Sequence, residues 1–256
     1  MRVHCLSTGV VRPKSRQRGV RRYLPGGWSS TTLPVNAFAV EHPAGVCMFD
    51  TGQTAAAAAP GHLPGWHPFL RLARFELDAD QEAAAQLSSL GVDPQRVRWV
   101  VLSHLHTDHA GGLAGFPGAD VLVSRVEWEQ ARGTAGRLRG YLPQHWPPGV
   151  HPRLIELSQR PWGPFAESLD LAGDGRLLVV PTPGHTRGHQ SLVVRDERRT
   201  ILLAGDLCPT AADLPRAAPA INAWRLREGA VVLTAHDADA PQTLGGPAPA
   251  SIGGRP

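Results

Sequence analysis

The segment VVLSHLHTDHAGGL, residues 100–113, constrains the chain more than any other part of its sequence. Its apolar, β-branched start predicts a buried strand. Four residues of types that bind metals follow: His104, His106, Asp108 and His109. In an extended segment the first two histidines project to the same side, and a turn can bring the other two residues to a second position. Four ligands in six residues cannot comfortably serve one tetrahedral ion, so the pattern predicts two neighbouring ions.

Short apolar runs bounded by turn residues recur along the chain and predict strands. They are RVHCL, NAFAVEH, GVCMFD, VRWVVLS, ADVLVS, RLLVVPT, SLVVRD, TILLAGD and AVVLTAH. Helices are fewer. We expect one at DADQEAAAQLSSLGV, capped by Asp78 or Asp80 and stopped by Gly91, one at SRVEWEQARG, between Ser124 and Gly133, and one around INAWRLREG. Strands in both halves of the chain predict an α/β (α+β) fold with two packed sheets and helices outside.

Further metal ligands are available where three later strands are predicted to end. VVPTPGHTRGHQS offers His185, ILLAGDLCP offers Asp206, and VVLTAHDAD offers His236. A single histidine or aspartate after a strand is more often a turn residue. Together with the first motif, however, these residues favour one site assembled from several segments.

The order of these motifs resembles the metallo-β-lactamase superfamily of metal-dependent hydrolases. The motifs are FDTG, SHLHTDHAGG, PGHTRGHQSL, LAGD and the late AHD, and the likeness extends from about Leu33 to Asp237. Within the superfamily, the segments SHLHTDHAGGL, VLVSRVEWEQA and PGHTRGHQSL are most similar to the N-acyl-homoserine lactonase group, which includes pyridoxolactonase-like enzymes. The resemblance implies a four-layer αββα sandwich of two mixed β-sheets flanked by helices.

The resemblance also implies a two-metal site, usually with zinc. One ion is expected on His104, His106 and His185, the other on Asp108, His109 and His236, with Asp206 bridging them. A histidine at position 106, where oxygen-reducing diiron relatives carry glutamate, favours zinc hydrolysis. Iron, manganese or cobalt stay open, because geometry and availability decide which metal is bound.

Two further residues are candidates to orient the ligands. A metal-bound imidazole needs a partner on its other nitrogen, and a carboxylate at a strand end suits that role. Asp50 in FDTG and His189 in GHQS are placed for it, although an ordinary turn or core hydrogen bond explains either residue equally well.

The expected activity is the opening of a lactone or related ester, as in quorum-quenching lactonases. Two metal ions can ionise a shared water near pH 7, and the resulting hydroxide attacks a carbonyl. Asp108 is the candidate to carry a proton to the leaving group. Aromatic residues of the long loops, Trp66, Phe69, Tyr141 and Trp146, can line a substrate pocket or simply pack their loops onto the body.

Three alternatives accompany this hypothesis. A persulfide dioxygenase uses one iron and shares several of the ligands, and a glyoxalase-II-like thioesterase normally adds a helical domain after the last metal histidine. A metal-binding relative without turnover is the third. The chain departs from the homoserine lactonases at Pro209, which stands where they carry a substrate-binding tyrosine.

Length and composition complete the expectations. A chain of 256 residues can form one large domain, predicted over 1–237, and the Gly- and Pro-rich stretch 238–256 predicts a flexible tail. Three scattered cysteines, with neither a signal peptide nor a membrane span in the pattern, favour a cytoplasmic protein without membrane association. Residues 11–22 hold six basic residues without a nucleic-acid-binding motif, so we expect a solvated loop and no nucleic acid. This loop could form a homodimer contact.

Overall fold

The computed structural model describes residues 1–14, 27–63, 72–148, 150–158 and 160–245, and it places two β-sheets face to face. The first sheet contains β1 (Arg2–Pro13), β2 (Leu33–His42), β3 (Gly45–Phe49), β4 (Ala73–Glu76), β5 (Val97–Val101), β6 (Asp120–Ser124) and β7 (Arg153–Ile155). Its strand order is β4-β1-β2-β3-β5-β6-β7. Strands β4, β1, β2 and β3 pair antiparallel, whereas β3, β5, β6 and β7 pair parallel, so the sheet is mixed.

The second sheet is smaller and also mixed. It contains β8 (Leu169–Asp170), β9 (Leu177–Pro181), β10 (Gln190–Arg195), β11 (Thr200–Leu203) and β12 (Val231–Leu233). The strand order is β12-β11-β10-β9-β8. Only the β11–β12 pair is parallel within this sheet, as the structure describes it.

Helices cover the outer faces of both sheets. They are α1 (Ala83–Ser89), α2 (Thr107–Ala110), α3 (Arg125–Ala131), α4 (Gly133–Leu138), α5 (Leu214–Ala217), α6 (Pro219–Glu228) and α7 (Ala240–Gly245). Helices α1 and α3 pack on the first sheet, and α5 and α6 pack on the second. None of the helices in the described ranges is long and apolar enough to cross a bilayer.

Alternation along the strands explains the layers, because successive side chains of a strand point to opposite faces. On β2, Phe38 and Val40 enter the core between the two sheets, while Ala37 and Ala39 face the α1 layer. On the second sheet, Val179 enters the central core, and its neighbour Val180 lies in the outer core with α6. The expected αββα architecture is confirmed.

The local expectations hold with some differences. Gly91, with φ of +81°, ends the first predicted helix, but Asp78 caps a preceding 3-10 turn rather than α1. Helix α3 begins after Ser124, whose side chain makes no capping bond, and it ends at Ala131. Gly133 starts α4, a helix that the sequence pattern did not predict.

The predicted tail needs a correction at its start. Ala240–Gly245 forms α7, and its Ala240 and Leu244 side chains are buried in the central core. Burial of apolar side chains outweighs the turn-forming composition of this stretch. Residues 246–256 lie outside the described residues, as does the basic stretch after Lys14 up to position 22.

Candidate metal centre

The first motif lies at the carboxyl end of β5. Ser103 and His104 follow the strand closely, and the short helix α2 then carries Asp108 and His109. His106 is the N-cap residue of α2, with extended φ and ψ, so the chain turns between the two pairs of ligands. This turn separates the side chains as the spacing predicted.

Glycines after the motif let a neighbouring loop approach closely. A Cβ on Gly112 would lie 2.3 Å from the carbonyl oxygen of Thr51, and one on Gly111 would lie 2.4 Å from Gln53 Oε1. The freed space lets the Thr51 amide donate to the His109 carbonyl at 2.8 Å. The loop after β3 is thereby fixed against the motif.

One group of ring nitrogens comes from two segments. His106 Nδ1 lies 2.9 Å from His104 Nε2 and 3.0 Å from His185 Nε2. Zinc–nitrogen bonds of about 2.0–2.1 Å in a tetrahedron separate ligand atoms by roughly 3.3 Å. The three nitrogens are therefore spaced as ligands of one ion are spaced. His104 is buried, His106 is partly buried and His185 is exposed, so this group reaches the surface of the protein.

Asp206 connects this group to a second one. Its Oδ2 lies 3.5 Å from His185 Nε2 and 4.0 Å from His104 Nε2. Its Oδ1 lies 3.3 Å from His109 Nε2 and 3.4 Å from His236 Nε2. The two oxygens of one carboxylate thus face the two histidine groups.

Asp108 completes the second group. Its Oδ2 lies 3.7 Å from His236 Nε2 and 3.9 Å from His109 Nε2. The structure therefore brings together all seven side chains that the sequence suggested as ligands.

Burial and charge divide the histidines into two kinds. Burial lowers the pKa of His106 to about 4, with the His185 ring adding to the effect, and burial holds the pKa of His104 well below its usual value. Both rings are therefore neutral and ready to bind a cation. For His236, burial opposes the charged form, but the Asp206 and Asp108 carboxylates outweigh it and raise the pKa to about 9.

The same carboxylates act on His109. Burial disfavours its charged form, yet the neighbouring carboxylates, that of Asp206 foremost, hold the pKa of His109 well above its usual value. In return, the charges of His109 and His236 outweigh burial and hold the pKa of Asp206 well below the usual range. The carboxylates at the centre thus stabilise positive charge. Without metal, this charge is carried by the protonated rings of His109 and His236, and bound metal would replace those protons.

In four of the five ligand histidines, the ring nitrogen that does not face the centre has a polar partner. His104 Nδ1 lies 2.9 Å from Ser103 Oγ, and His109 Nδ1 lies 2.8 Å from Asp50 Oδ2. His106 Nε2 lies 3.1 Å from the Arg139 carbonyl, and His236 Nδ1 lies 2.8 Å from the Pro34 carbonyl. Such partners set which nitrogen is free to bind a metal.

Asp50 contacts the second group directly at His109 and reaches His104 of the first group through Ser103. One carboxylate oxygen accepts the Ser103 amide at 2.7 Å, and the other accepts the Ser103 hydroxyl at 2.8 Å. The expectation that Asp50 contacts a ligand ring thus has a geometric basis. The sequence reasoning did not select Ser103, although a hydroxyl residue directly before a ligand histidine was an available signal.

His189 takes a different position from the one expected. Its Nε2 accepts the backbone amide of Asp206 at 3.1 Å, and its Nδ1 lies 3.0 Å from the Thr182 carbonyl. Burial lowers the pKa of His189 to about 3, so the ring is neutral and can accept that amide. His189 therefore holds the backbone at Asp206 rather than the ring of a ligand.

Of the four aromatic residues proposed for a substrate pocket, the structure describes two, and neither lines an open pocket. Trp66 and Phe69 lie outside the described residues. Trp146 stacks on Trp128, with ring centroids 5.0 Å apart, which indicates a packing role. Tyr141 is buried with its ring 5.1 Å from that of His106, so it lies behind a ligand histidine rather than in an open pocket.

Two buried atoms of the centre lack hydrogen bonds and support a metal. His109 Nε2 and Asp206 Oδ1 have no hydrogen-bond partner among the described residues, because their mutual contact lacks hydrogen-bond geometry. Leaving such atoms unsatisfied is costly in a protein interior. Imidazole nitrogens and carboxylate oxygens are good donors for zinc and similar divalent metals, so the residues fit such ions.

Comparison with known proteins agrees with this arrangement. The family model described as Metallo-beta-lactamase superfamily matches residues 30–246. The chain belongs to the metallo-beta-lactamase superfamily.

Within the superfamily, several relatives are lactonases by name. The chain is 30% identical over 262 residues to the N-acyl homoserine lactonase AttM of Agrobacterium fabrum, covering 94% of each protein. A solved N-acyl homoserine lactone hydrolase, with N-hexanoyl-L-homoserine bound at its catalytic metal centre, matches with a TM-score of 0.73 and 21% identity. That match covers 94% of this chain and 95% of the other. AidC, a dizinc quorum-quenching lactonase, has a TM-score of 0.60 at 14% identity over 92% and 87% of the two chains.

Proposed function

We propose that the protein is a lactonase that uses two divalent metal ions, with zinc as the expected metal. One observation carries the proposal: each oxygen of the partly buried Asp206 carboxylate faces a different histidine group. A carboxylate that bridges two cations requires this disposition, whereas a single-iron site does not. Membership of the superfamily and the AttM relative support hydrolysis as the reaction.

The residues of each group have distinct tasks in this proposal. The ligands of the first ion are His104, His106 and His185, those of the second are Asp108, His109 and His236, and Asp206 is shared. When bound, two such cations supply a water ionised near neutral pH and an electrophile for the substrate carbonyl.

Asp108 is the proposed carrier of the proton. Its Oδ2 faces His236 and His109, so we assign to the other carboxylate oxygen the proton that the attacking water releases. A carboxyl group held there can give a proton to the departing alkoxide as the ring opens.

The substrate class is a lactone, and N-acyl homoserine lactone is the specific substrate proposed. Product bound at the metal centre of the solved N-acyl homoserine lactone hydrolase supports it by analogy. Position 209 is an exposed proline, which cannot donate a hydrogen bond through its side chain. We therefore expect this protein to bind the substrate carbonyl without the hydroxyl that a tyrosine supplies at this position in the homoserine lactonases.

Metal analysis and hydrolysis assays on one sample test the function. We expect about two zinc ions per chain and turnover of lactones of varied ring size and acyl length. His106→Ala and Asp206→Ala should each lose metal and lower kcat/KM by at least about 100-fold, while the exposed control His151→Ala should change neither. One iron per chain, or full activity in either ligand variant, would contradict the proposal. A cytoplasmic location and a homodimer stay predictions from the sequence.

A further inference from the structure

We propose that Glu127 is a positioning residue that holds the group of His104, His106 and His185 in place from behind. The inference rests on the proposed metal site. Glu127 lies in the first turn of α3, and its side chain is fully buried, at 0% exposure. A buried carboxylate is costly unless hydrogen-bond donors surround it, so its surroundings indicate its task.

The Glu127 carboxylate joins two ligand segments. Its Oε1 accepts the backbone amide of Leu105, the residue between His104 and His106, at 3.1 Å. Its Oε2 accepts the hydroxyl of Thr186, the residue after His185, at 2.7 Å. One side chain therefore ties together the two parts of the chain that supply this group of nitrogens.

A third donor links the carboxylate to His106. The Tyr141 hydroxyl hydrogen-bonds to Glu127, and burial together with the Glu127 charge raises the pKa of Tyr141 well above its usual value. The Tyr141 ring lies beside the His106 ring at an angle of 31°. Both carboxylate oxygens of Glu127 thus accept hydrogen bonds.

Close backbone packing supports the same role. A Cβ on Gly188 would lie 2.2 Å from the Glu127 amide nitrogen, so only glycine lets the His185 loop approach α3 so closely. No arginine or lysine forms an ion pair with Glu127 within the described ranges. The carboxylate instead places negative charge behind the group of His104, His106 and His185, and this charge favours a cation there.

Zinc binding to the purified full-length protein tests the inference. Glu127→Gln keeps the shape but removes the charge, and Glu129→Gln on the same helix is the exposed control. We expect Glu127→Gln to weaken one of the two zinc ions by about 10–100-fold and to leave the other nearly unchanged. Chelator competition measures both affinities, and circular dichroism checks that each variant is folded. Glu129→Gln should match the wild type.

The outcomes separate the two proposals. If wild-type protein binds no zinc, the proposed function fails. If it binds two ions and Glu127→Gln binds both as tightly, or weakens both equally, the positioning role is wrong, because general destabilisation has no preference for one ion. Should Glu127→Gln not fold, Tyr141→Phe and Thr186→Val, which each remove one donor, must show the same one-sided loss for the inference to stand.

Discussion

Single side chains behind the ligands are themselves fixed by hydrogen bonds, and Asp50 is the main example. Asp50 has a backbone φ of +59°, a conformation that few residues other than glycine, asparagine and aspartate adopt readily. This conformation directs its carboxylate at both Ser103 and His109. Backbone strain at this position therefore contributes directly to the order of the metal centre.

Asp50→Asn tests this contribution without changing the backbone preference, since asparagine also accepts positive φ. The amide has only one acceptor oxygen for three donors. We therefore expect zinc affinity to fall by about 10–100-fold, the usual cost of losing such a partner. Chelator competition provides the measurement. The exposed Asp93→Asn, at an N-cap where asparagine serves equally well, is the matched control and should be silent. Unchanged affinity in Asp50→Asn would show that Ser103 alone orients the rings.

Gly205, in the motif LAGD, provides a second test of a single residue. Its φ is +51°, and a Cβ there would lie 2.7 Å from Ser103 Cβ and 3.0 Å from His189 Nε2. Gly205→Ala should therefore lower the free energy of unfolding by roughly 1–3 kcal/mol. The urea midpoint at constant m-value measures this loss. Gly118→Ala, with ordinary contacts and no positive φ, is the control, and equal midpoints for the two variants would refute the steric argument.

Among the strands, the sequence predicted the interior ones and the edge strand β12, and it missed the other three edges. The unpredicted strands β4, β7 and β8 are all edge strands of their sheets. They are short, with the sequences ARFE, RLI and LD, and carry no apolar run of their own. Pairing with a neighbour forms them, and such pairing has no local signature.

Helix α7 shows the same limit of local patterns. Its composition, rich in glycine and proline nearby, suggested a loose tail, yet Leu244 is only 8% exposed and packs in the central core. The Leu244 carbonyl also accepts Arg199 Nη1 at 2.8 Å. Contacts made by other elements therefore order this segment.

Leu244→Ala should consequently lower the free energy of unfolding by about 2 kcal/mol, near the low end for a buried leucine because the helix is peripheral. Gln242→Ala, on the exposed side of α7, should leave stability within about 0.5 kcal/mol. Urea unfolding of both variants provides the comparison. A flexible tail, as the sequence suggested, would make the two variants indistinguishable.

For the whole molecule, the sequence predicted the metal-ligand candidates more completely than it predicted the strands and helices around them. The seven side chains follow strand ends, and their types and order carry a recognisable pattern. Asp50 was predicted among the groups behind them, but the Pro34 and Arg139 carbonyls could not be, since they belong to the backbone and leave no mark in residue type. Glu127 lies far from its partners in sequence, so only the packing of α3 reveals it.

The ligands also come from both sheets. His104, His106, Asp108 and His109 follow β5 of the first sheet, and His185, Asp206 and His236 follow strands of the second. Direct bonds already join the sheets beside the site, such as Gln190 Nε2 to the Leu102 carbonyl at 2.8 Å. Bound metal would add a further link between the two layers, which couples metal binding to the stability of the whole domain.

Removal of metal should therefore lower the melting temperature of the entire protein. A ligand at 100 times its Kd stabilises a fold by about 2.7 kcal/mol. For a domain of this size that corresponds to roughly 5–10 °C. Differential scanning calorimetry of chelator-treated protein, before and after zinc is restored, measures the shift. Asp206→Ala removes the shared ligand and should respond much less to zinc. The metal-free wild type could instead melt at the same temperature as the zinc-loaded protein. In that case contacts between the two sheets would hold them together without metal, and metal binding would contribute nothing to the stability of the domain.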